Sequence, residues 1–554
     1  MRQASRFARQ KAMRRAGLAA VSAAALVGLA ACGGSSSGGS QTSGNNGSSA
    51  NGKTIIWGST DKPVSFDPAG SYDLPSWNVV YNVYQTLLRV DPSTEKTVPD
   101  AAQSCNPSKD FKTWTCTLKP GQKFSNGDAV TAEDVKFSFE RVLKINDPSG
   151  PAALLQAGGS DTSNPKKIKD FTVDAPNATT VVFHLQHANA LWNQFIATGA
   201  GAIVDHNVFP ADKKIADDKI VGSGPYELKS YQPSQVAQFV PNPHYGGDLH
   251  LNNSGLVIQY YQDENALKLD VQQGKVDVVY PGLSPTAIDQ LKGKSGINVV
   301  SGPGGAIRYL VFNLKTMPGS NDAQKRAIRR AVAYLIDRQS IATNVYKNTV
   351  QPLYSMVPKG LAGQEDVYKT EFGASPDPAK AKAELQKAGV KTPVNLQIWW
   401  TPSHYGALSS DEYTEIKREL EGSNLFKIDL QSTEWEQYTG NCLADKCPAY
   451  QLGWFPDYPD TDDYLSSFFG SASFLNNHYS NPQVDRLIDD EQGTTDQNKR
   501  IADFKKIQEA TVADAPVIPY WQGQQIAITN GTINGLQSTL TPDYIFRFWV
   551  LGKS

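Results

Sequence analysis

The 554-residue chain lacks a charge excess of either sign: 53 Lys and Arg stand against 55 Asp and Glu, a formal net charge of −2. A protein built to grip nucleic acid normally presents a basic face, so this balance argues against that class. Histidine is scarce. The seven (His184, His187, His206, His244, His250, His404, His478) are scattered, and no H-E-x-x-H occurs. His184 and His187 lie three apart on an expected strand, on opposite faces, which suits no shared metal. There is no G-x-x-x-x-G-K-[ST] phosphate loop: the terminal GKS at 552–554 has Arg547 where the first glycine belongs. After residue 31 no apolar run reaches the roughly 20 residues that cross a bilayer. No internal repeat is evident. Cysteine is rare and odd in number, at five, which calls for an explanation.

What is present is core-forming material. Hydrophobic residues make up 40%, and 21 Phe with 23 Tyr exclude a chain disordered throughout. The length predicts several lobes. Plentiful Gly (45) and Pro (33) with only 19% charged residues point to a loop-rich mixed α/β protein.

The first 31 residues differ from the rest. Arg2, Arg6, Arg9, Lys11, Arg14 and Arg15 precede the uncharged, Ala/Leu/Val-rich stretch 16–31, the pattern of a secretory signal. The residues flanking Arg14 and Arg15 fit the twin-arginine route poorly. The stretch ends Leu29, Ala30, Ala31, Cys32. This resembles the lipobox of bacterial lipoproteins, in which cleavage before the cysteine follows its acylation. The resemblance implies Cys32 as a lipidation site, and two or more acyl chains give stable anchoring. Residues 33–53 are Gly/Ser/Asn-rich and predict a flexible tether of about 25 Å r.m.s. span. A G-x-S-x-G match at 34–38 lies within this tract, where no strand-to-helix elbow can form. Removing 1–31 leaves 47 basic and 55 acidic residues, a net charge of −8 on an exported body.

Export also bears on the other four cysteines, which outside the cytoplasm read as two disulfides. The simplest pairing is Cys105 with Cys116, across an expected hairpin, and Cys442 with Cys447, closing a loop. Neither spacing fits a zinc site well.

From residue 54, short apolar strands alternate with amphipathic helices. Strands are expected at TIIWGS, TWTCTL, VVFHL, IRYLVFNL, VNLQIWW, KIDLQSTEW and PAYQLGW. Helices are expected at WNVVYNVYQTLLRV, TAEDVKFSFERVL (Thr131 as N-cap), AQKRAIRRAVAYLIDRQSIATNVY, DPAKAKAELQKAG (ending at Gly389), DEYTEIKRELE and NKRIADFKKIQEATVADA.

Ordered blocks along this body carry a specific resemblance. They run FDPA (66–69), LKPGQKFSNGD (118–128) with TAEDVKFSFER (131–141), GSGPY (222–226), NPHYGG (242–247), GKVD (274–277), FN (312–313), RRAV (329–332), GWFPDYPD (453–460), APVIP (515–519) and Gly535. Together they resemble family 5 extracellular solute-binding proteins, the peptide-type receptors of ABC importers. The NPHYGG block lacks the tryptophan usual in that family.

The resemblance implies a two-lobed α/β clamshell with an inserted subdomain, closing on a solute and making or breaking no bond. It implies lobe I from 54–95, 222–305 and 526–554, an inserted subdomain at 96–221, and lobe II at 306–525. The working partners are a peptide or other small solute and a membrane permease, with no cofactor, no metal, no nucleic acid and a monomeric body held at the outer face of the cytoplasmic membrane. In peptide-binding members the Asp three residues after the Trp of the Gly-Trp block holds the ligand's α-ammonium. The matching residue is Asp457, with Trp454 as a flat cleft wall. Asp457 also reads as part of an acidic turn, crowded by Asp460, Asp462 and Asp463, although that run supplies no calcium-loop pattern. Arg308 is a candidate for the ligand carboxylate and equally a strand-edge surface residue. Tyr309, Trp399 and Trp400 are cleft or core aromatics, and neighbours on a strand point oppositely, so at most one of the two tryptophans faces a ligand. Rivals are nickel complexes, oligosaccharides, opine-like solutes and, from another class, an exported hydrolase.

Overall fold

A computed structural model describes residues 52–554, apart from 95, 162–166, 403, 407 and 472. The expected signal, Cys32 and tether as far as residue 51 lie outside the described residues.

Two strands carry the architecture. Asn298–Phe312 and Val517–Thr529 run antiparallel, from Asn298 opposite Thr529 to Val311 opposite Val517. They form the middle of an eleven-stranded sheet. One flank continues through Val278–Val279, Ile55–Ser59, Leu256–Tyr260, Val236–Pro241 and Tyr226–Gln232. The other continues through Ala449–Trp454, Val394–Trp400 and Phe426–Ser432. The second half of Asn298–Phe312 is buried without alternation, as expected where helices cover both faces of a sheet. Between Pro303 and Ile307 the register of the pair shifts, a bulge that re-aims the strands between the two flanks.

Each flank has its own core. Ile55, Trp57, Val80, Phe239, Phe546 and Leu551 pack together on the first. Leu310, Ile328, Leu396 and Ile416 lie on one face of the second flank, and Tyr309, Tyr438, Phe468 and Val517 on its other face. A third core lies under a four-stranded sheet of Ala102–Pro107, Thr113–Leu118, Thr180–His184 and Thr172–Asn177, packed by the helix Ala132–Ile145. The fold is mixed α/β and two-lobed.

Several expected elements change at their ends. The helix at 74 stops at Val83, and Leu88–Val90 is a strand. The expected long helix breaks after Leu335. There Asp337 turns its side chain to cap Ser340 N, and a short turn and a π-helix Ile341–Val345 follow. The strand Phe426–Ser432 ends before Trp435, which opens the helix Trp435–Leu443. That helix separates two strands expected to be successive. His187 lies beyond the strand that holds His184. The cysteine sulfurs lie 2.05 Å apart for Cys105–Cys116, directly opposite on a hairpin, and 2.11 Å apart for Cys442–Cys447, where helix Trp435–Leu443 ends.

Candidate ligand site

The strand Ala449–Trp454 ends opposite Ile307, and the chain then turns through Asp457 into the helix Asp462–Phe469. Asp463, in the first turn of that helix, organises the turn. Its Oδ2 accepts from Trp454 Nε1 (2.9 Å) and from the Asp457 backbone N–H (3.1 Å). Asp463 is only 1% exposed, whereas Asp457 is half-buried. Asp457 Oδ1 accepts from Tyr72 Oη at 2.5 Å, and Tyr72 enters the helix Leu74–Val83 of the opposite flank. Asp457 therefore ties its turn to the segment that leads into the helix of the opposite flank. Neither carboxylate has an ion-pair partner among the described residues. Burial raises the pKa of Asp457, while Asp463 is raised by burial and then by the Asp457 charge. Burial and Asp457 also push the Tyr72 phenol up, so it remains a donor. Trp454 stacks on Phe474 (centroids 5.1 Å, 23° between planes) and packs edge-on to Phe468.

One register step away lies Arg308, between Gly453 and Trp521 in the ladder. It is not a surface residue. It is 6% exposed, with its guanidinium carbon 3.9 Å from the Tyr405 ring centroid and 4.9 Å from that of Trp521. This is a cation held between two aromatic faces. Gly453 makes the space: a Cβ there would lie 1.7 Å from Arg308 Nη1. Arg308 Nη1 reaches the Ile307 carbonyl at 3.4 Å, but Nε has no acceptor and no carboxylate pairs with the group among the described residues. A buried charge without a counter-ion is costly, so an unpaired guanidinium here needs a reason.

The neighbouring acid is committed elsewhere. Glu412, fully buried, accepts from Trp521 Nε1, Tyr346 Oη and Tyr520 Oη (each 2.7 Å) and from Gln451 Nε2 (3.0 Å). It fixes the Trp521 ring that faces Arg308. His404 stacks on Trp435 at 3.8 Å and 9°. Burial, then the Arg308 charge, hold its pKa down at about 4, so it is neutral at physiological pH. The result is an acidic corner at Asp457 and Asp463 and a cationic, aromatic-walled one at Arg308, joined by the backbone 453–457.

Two expected cleft aromatics sit elsewhere. Tyr309 is 0% exposed and packs edge-on to Phe468, with Oη donating to the Gly453 carbonyl (3.3 Å). It is a core residue, because Arg308 and Tyr309 take opposite faces of one strand. Trp400 packs against the layer containing Leu396 and Ile416, away from Trp454, while Trp399 shares the Trp454 layer. Tyr72, Tyr405, Glu412, Asp463 and Trp521 were not singled out from sequence. Tyr72 follows the FDPA block closely and Asp463 sits in the acidic run, but no spacing rule connects either to Asp457.

The most distinctive sequence block builds structure. Asp67 of FDPA and Arg141 of the 131–141 block form a fully buried bidentate pair (2.7 and 2.6 Å), and Asp67 also accepts from the Ala69 and Ile215 backbones. Asp134 caps Thr131 and takes a bond from His206 Nδ1 (2.6 Å). With Asp205 these are the one group of three metal-capable side chains among the described residues, but the caps already occupy their oxygens.

The chain is similar to the probable D,D-dipeptide-binding periplasmic protein DdpA of Escherichia coli K12. The two are 28% identical over 523 residues, which cover 90% of this chain and 94% of DdpA. Its fold is similar to that of HbpA2 from Haemophilus parasuis, with TM-score 0.78, 20% identity, and coverage of 91% of this chain and 100% of the other. It also matches a dipeptide-binding protein from Pseudoalteromonas sp. SM9913 in complex with Met-Leu. There the TM-score is 0.71 at 22% identity, and the match covers 91% of this chain and 100% of the other. At such identities the solved structures show the fold alone. Residues 96–476 match the profile of the bacterial extracellular solute-binding proteins, family 5 Middle, and with more than half of its length matched the chain belongs to that family.

Proposed function

We propose that this protein is the substrate-binding lipoprotein of an ABC importer and captures short peptides between its lobes for a membrane permease. One observation carries the reading: an unpaired acidic corner and an unpaired buried guanidinium flank the same backbone segment, 453–457. A peptide is a zwitterion with an extended backbone, and terminal charge anchors with main-chain pairing hold it while tolerating varied side chains. Asp457 takes the α-ammonium and Arg308 the terminal carboxylate, each a charge-assisted contact. Trp454 keeps its side of the cleft flat and fixes Asp463. The dipeptide-binding relatives support the same class of solute.

In this reading 54–95, 222–305 and 526–554 form lobe I, 96–221 the inserted subdomain and 306–525 lobe II. The protein makes and breaks no bond and needs no cofactor. It is exported, cut before Cys32 and held by lipid at the outer face of the cytoplasmic membrane. Metabolic labelling with a fatty acid, lost in Cys32→Ala, checks the anchor.

Native mass spectrometry of the purified protein tests the solute class. A ladder of co-purified peptides is expected. A single sugar mass or a bound metal complex would replace the peptide reading. In calorimetry Asp457→Asn should weaken peptide binding by about 2 kcal/mol or more, because it strips the charge from a desolvated pair.

A further inference from the structure

The acidic corner holds one carboxylate more than an amine anchor needs. Asp463 shares its Oδ2 between Trp454 Nε1 and the Asp457 N–H, and Asp457 gives Oδ1 to Tyr72. Asp463 Oδ1 and Asp457 Oδ2 have no hydrogen-bond partner among the described residues. Every donor to the pair is neutral. The charged and titratable groups around it are Tyr72, Asp462, Tyr81 and Tyr458. Asp462 serves Tyr458 Oη and Gln492 Nε2, and the cations further out are committed: Arg547 to Asp543, and Arg500 to Asp460 and Glu491. A buried carboxylate and the half-buried one beside it, with no cation between them, cannot both ionise cheaply.

We infer that Asp463 is a second anchor of the ligand ammonium, and that in the empty receptor Asp457 and Asp463 share one proton which the incoming ammonium displaces. This rests on the peptide reading of the site. The charge balances: the empty corner is one proton on two carboxylates, a charge of −1. The loaded corner is two carboxylates and one ammonium, again −1, with one proton released to solvent. Burial raises both groups, and the Asp457 charge raises Asp463 further, which agrees with a proton held near neutral pH. An unsubstituted amine supplies the N–H donors that both free oxygens need. An N-acylated peptide supplies no charge and only a single N–H, too few for both oxygens, so the pair selects for free amines.

Two measurements test this. Infrared spectra of the ligand-free protein over about pH 5–8 should show a protonated-carboxyl band outlasting the ordinary aspartate range, which lies near pH 4. The band should weaken in Asp463→Asn, leaving what Asp457, Asp100 and Glu419 contribute, whose carboxyls burial also raises. Calorimetry at pH 6 in buffers of different ionisation enthalpy, with an equimolar pool of alanine peptides two to five residues long, should show release of up to one proton per peptide bound. Asp463→Asn should bind the pool about tenfold more weakly and release a smaller fraction of a proton, that of Asp457 alone. An N-acetylated pool should not bind. A band equally strong in the wild type and in Asp463→Asn overturns the inference whether or not peptides bind, as does binding without proton release. A band weakened in Asp463→Asn, with no binding of any peptide to the wild type, instead overturns the proposed function while upholding the shared proton. Proton release by the wild-type protein stands as a test even if the variant fails to fold.

Discussion

Gly453 has no side chain, and the Arg308 guanidinium occupies the place where one would be. Gly453→Ala should therefore act as an Arg308 mutation at one remove. It should displace the guanidinium from between Tyr405 and Trp521 and weaken binding of peptides with a free carboxylate, with little effect on C-terminally amidated ones. Arg308→Lys keeps the charge but loses the planar face that both rings contact. It should cost about 1 kcal/mol or more in peptide affinity by calorimetry. Asp463→Asn has a second consequence. A carboxyl group whose pKa is raised on folding takes up protons in the folded state, so its stabilising share grows as pH falls and is lost as pH rises through the raised value. At neutral pH the pair, carrying one negative charge with no cation beside it, opposes folding. Asp463→Asn should then raise ligand-free stability by ~1 kcal/mol in denaturant titrations at pH 7, even as it weakens binding. The wild-type advantage should return as pH drops toward 5.

At the level of elements, the residues most visible in the sequence turn out to hold elements together. The FDPA and 131–141 blocks meet through Asp67 and Arg141, 74 positions apart and both buried. Removing one partner strands the other charge, so Arg141→Ala should cost about 3–5 kcal/mol in chemical denaturation. The double replacement by apolar residues should cost less than that single one. Alternation and helical spacing were legible in the sequence for the strands Ile55–Ser59, Thr113–Leu118 and Val394–Trp400, and for the helix Gln497–Val512. They failed where a polar side chain overrode apolar spacing, as when Asp337 caps a new turn after Leu335. The candidacy of Asp457 was legible through the family motif and that of Arg308 through a strand. Tyr72 and Glu412 were not, because their roles arise only when segments hundreds of residues apart pack together.

For the whole molecule, the acidity of residues 32–554 was readable from composition, and the two-lobed arrangement from the family that the ordered blocks resemble. The path of the sheet was not. Asn298–Phe312 and Val517–Thr529 are at once the join between the two flanks of the sheet and strands inside both cores. Val300 and Ala527 belong to the core of the first flank, Leu310 and Ile518 to that of the second. Melting one flank exposes the ladder partners of the other, since the same hydrogen-bonded ribbon threads both. The two lobes should accordingly lose structure together, in a single calorimetric transition whose van't Hoff and calorimetric enthalpies agree. Hydrogen exchange should find the amides of that ribbon among the slowest in the protein, on both sides of residue 305.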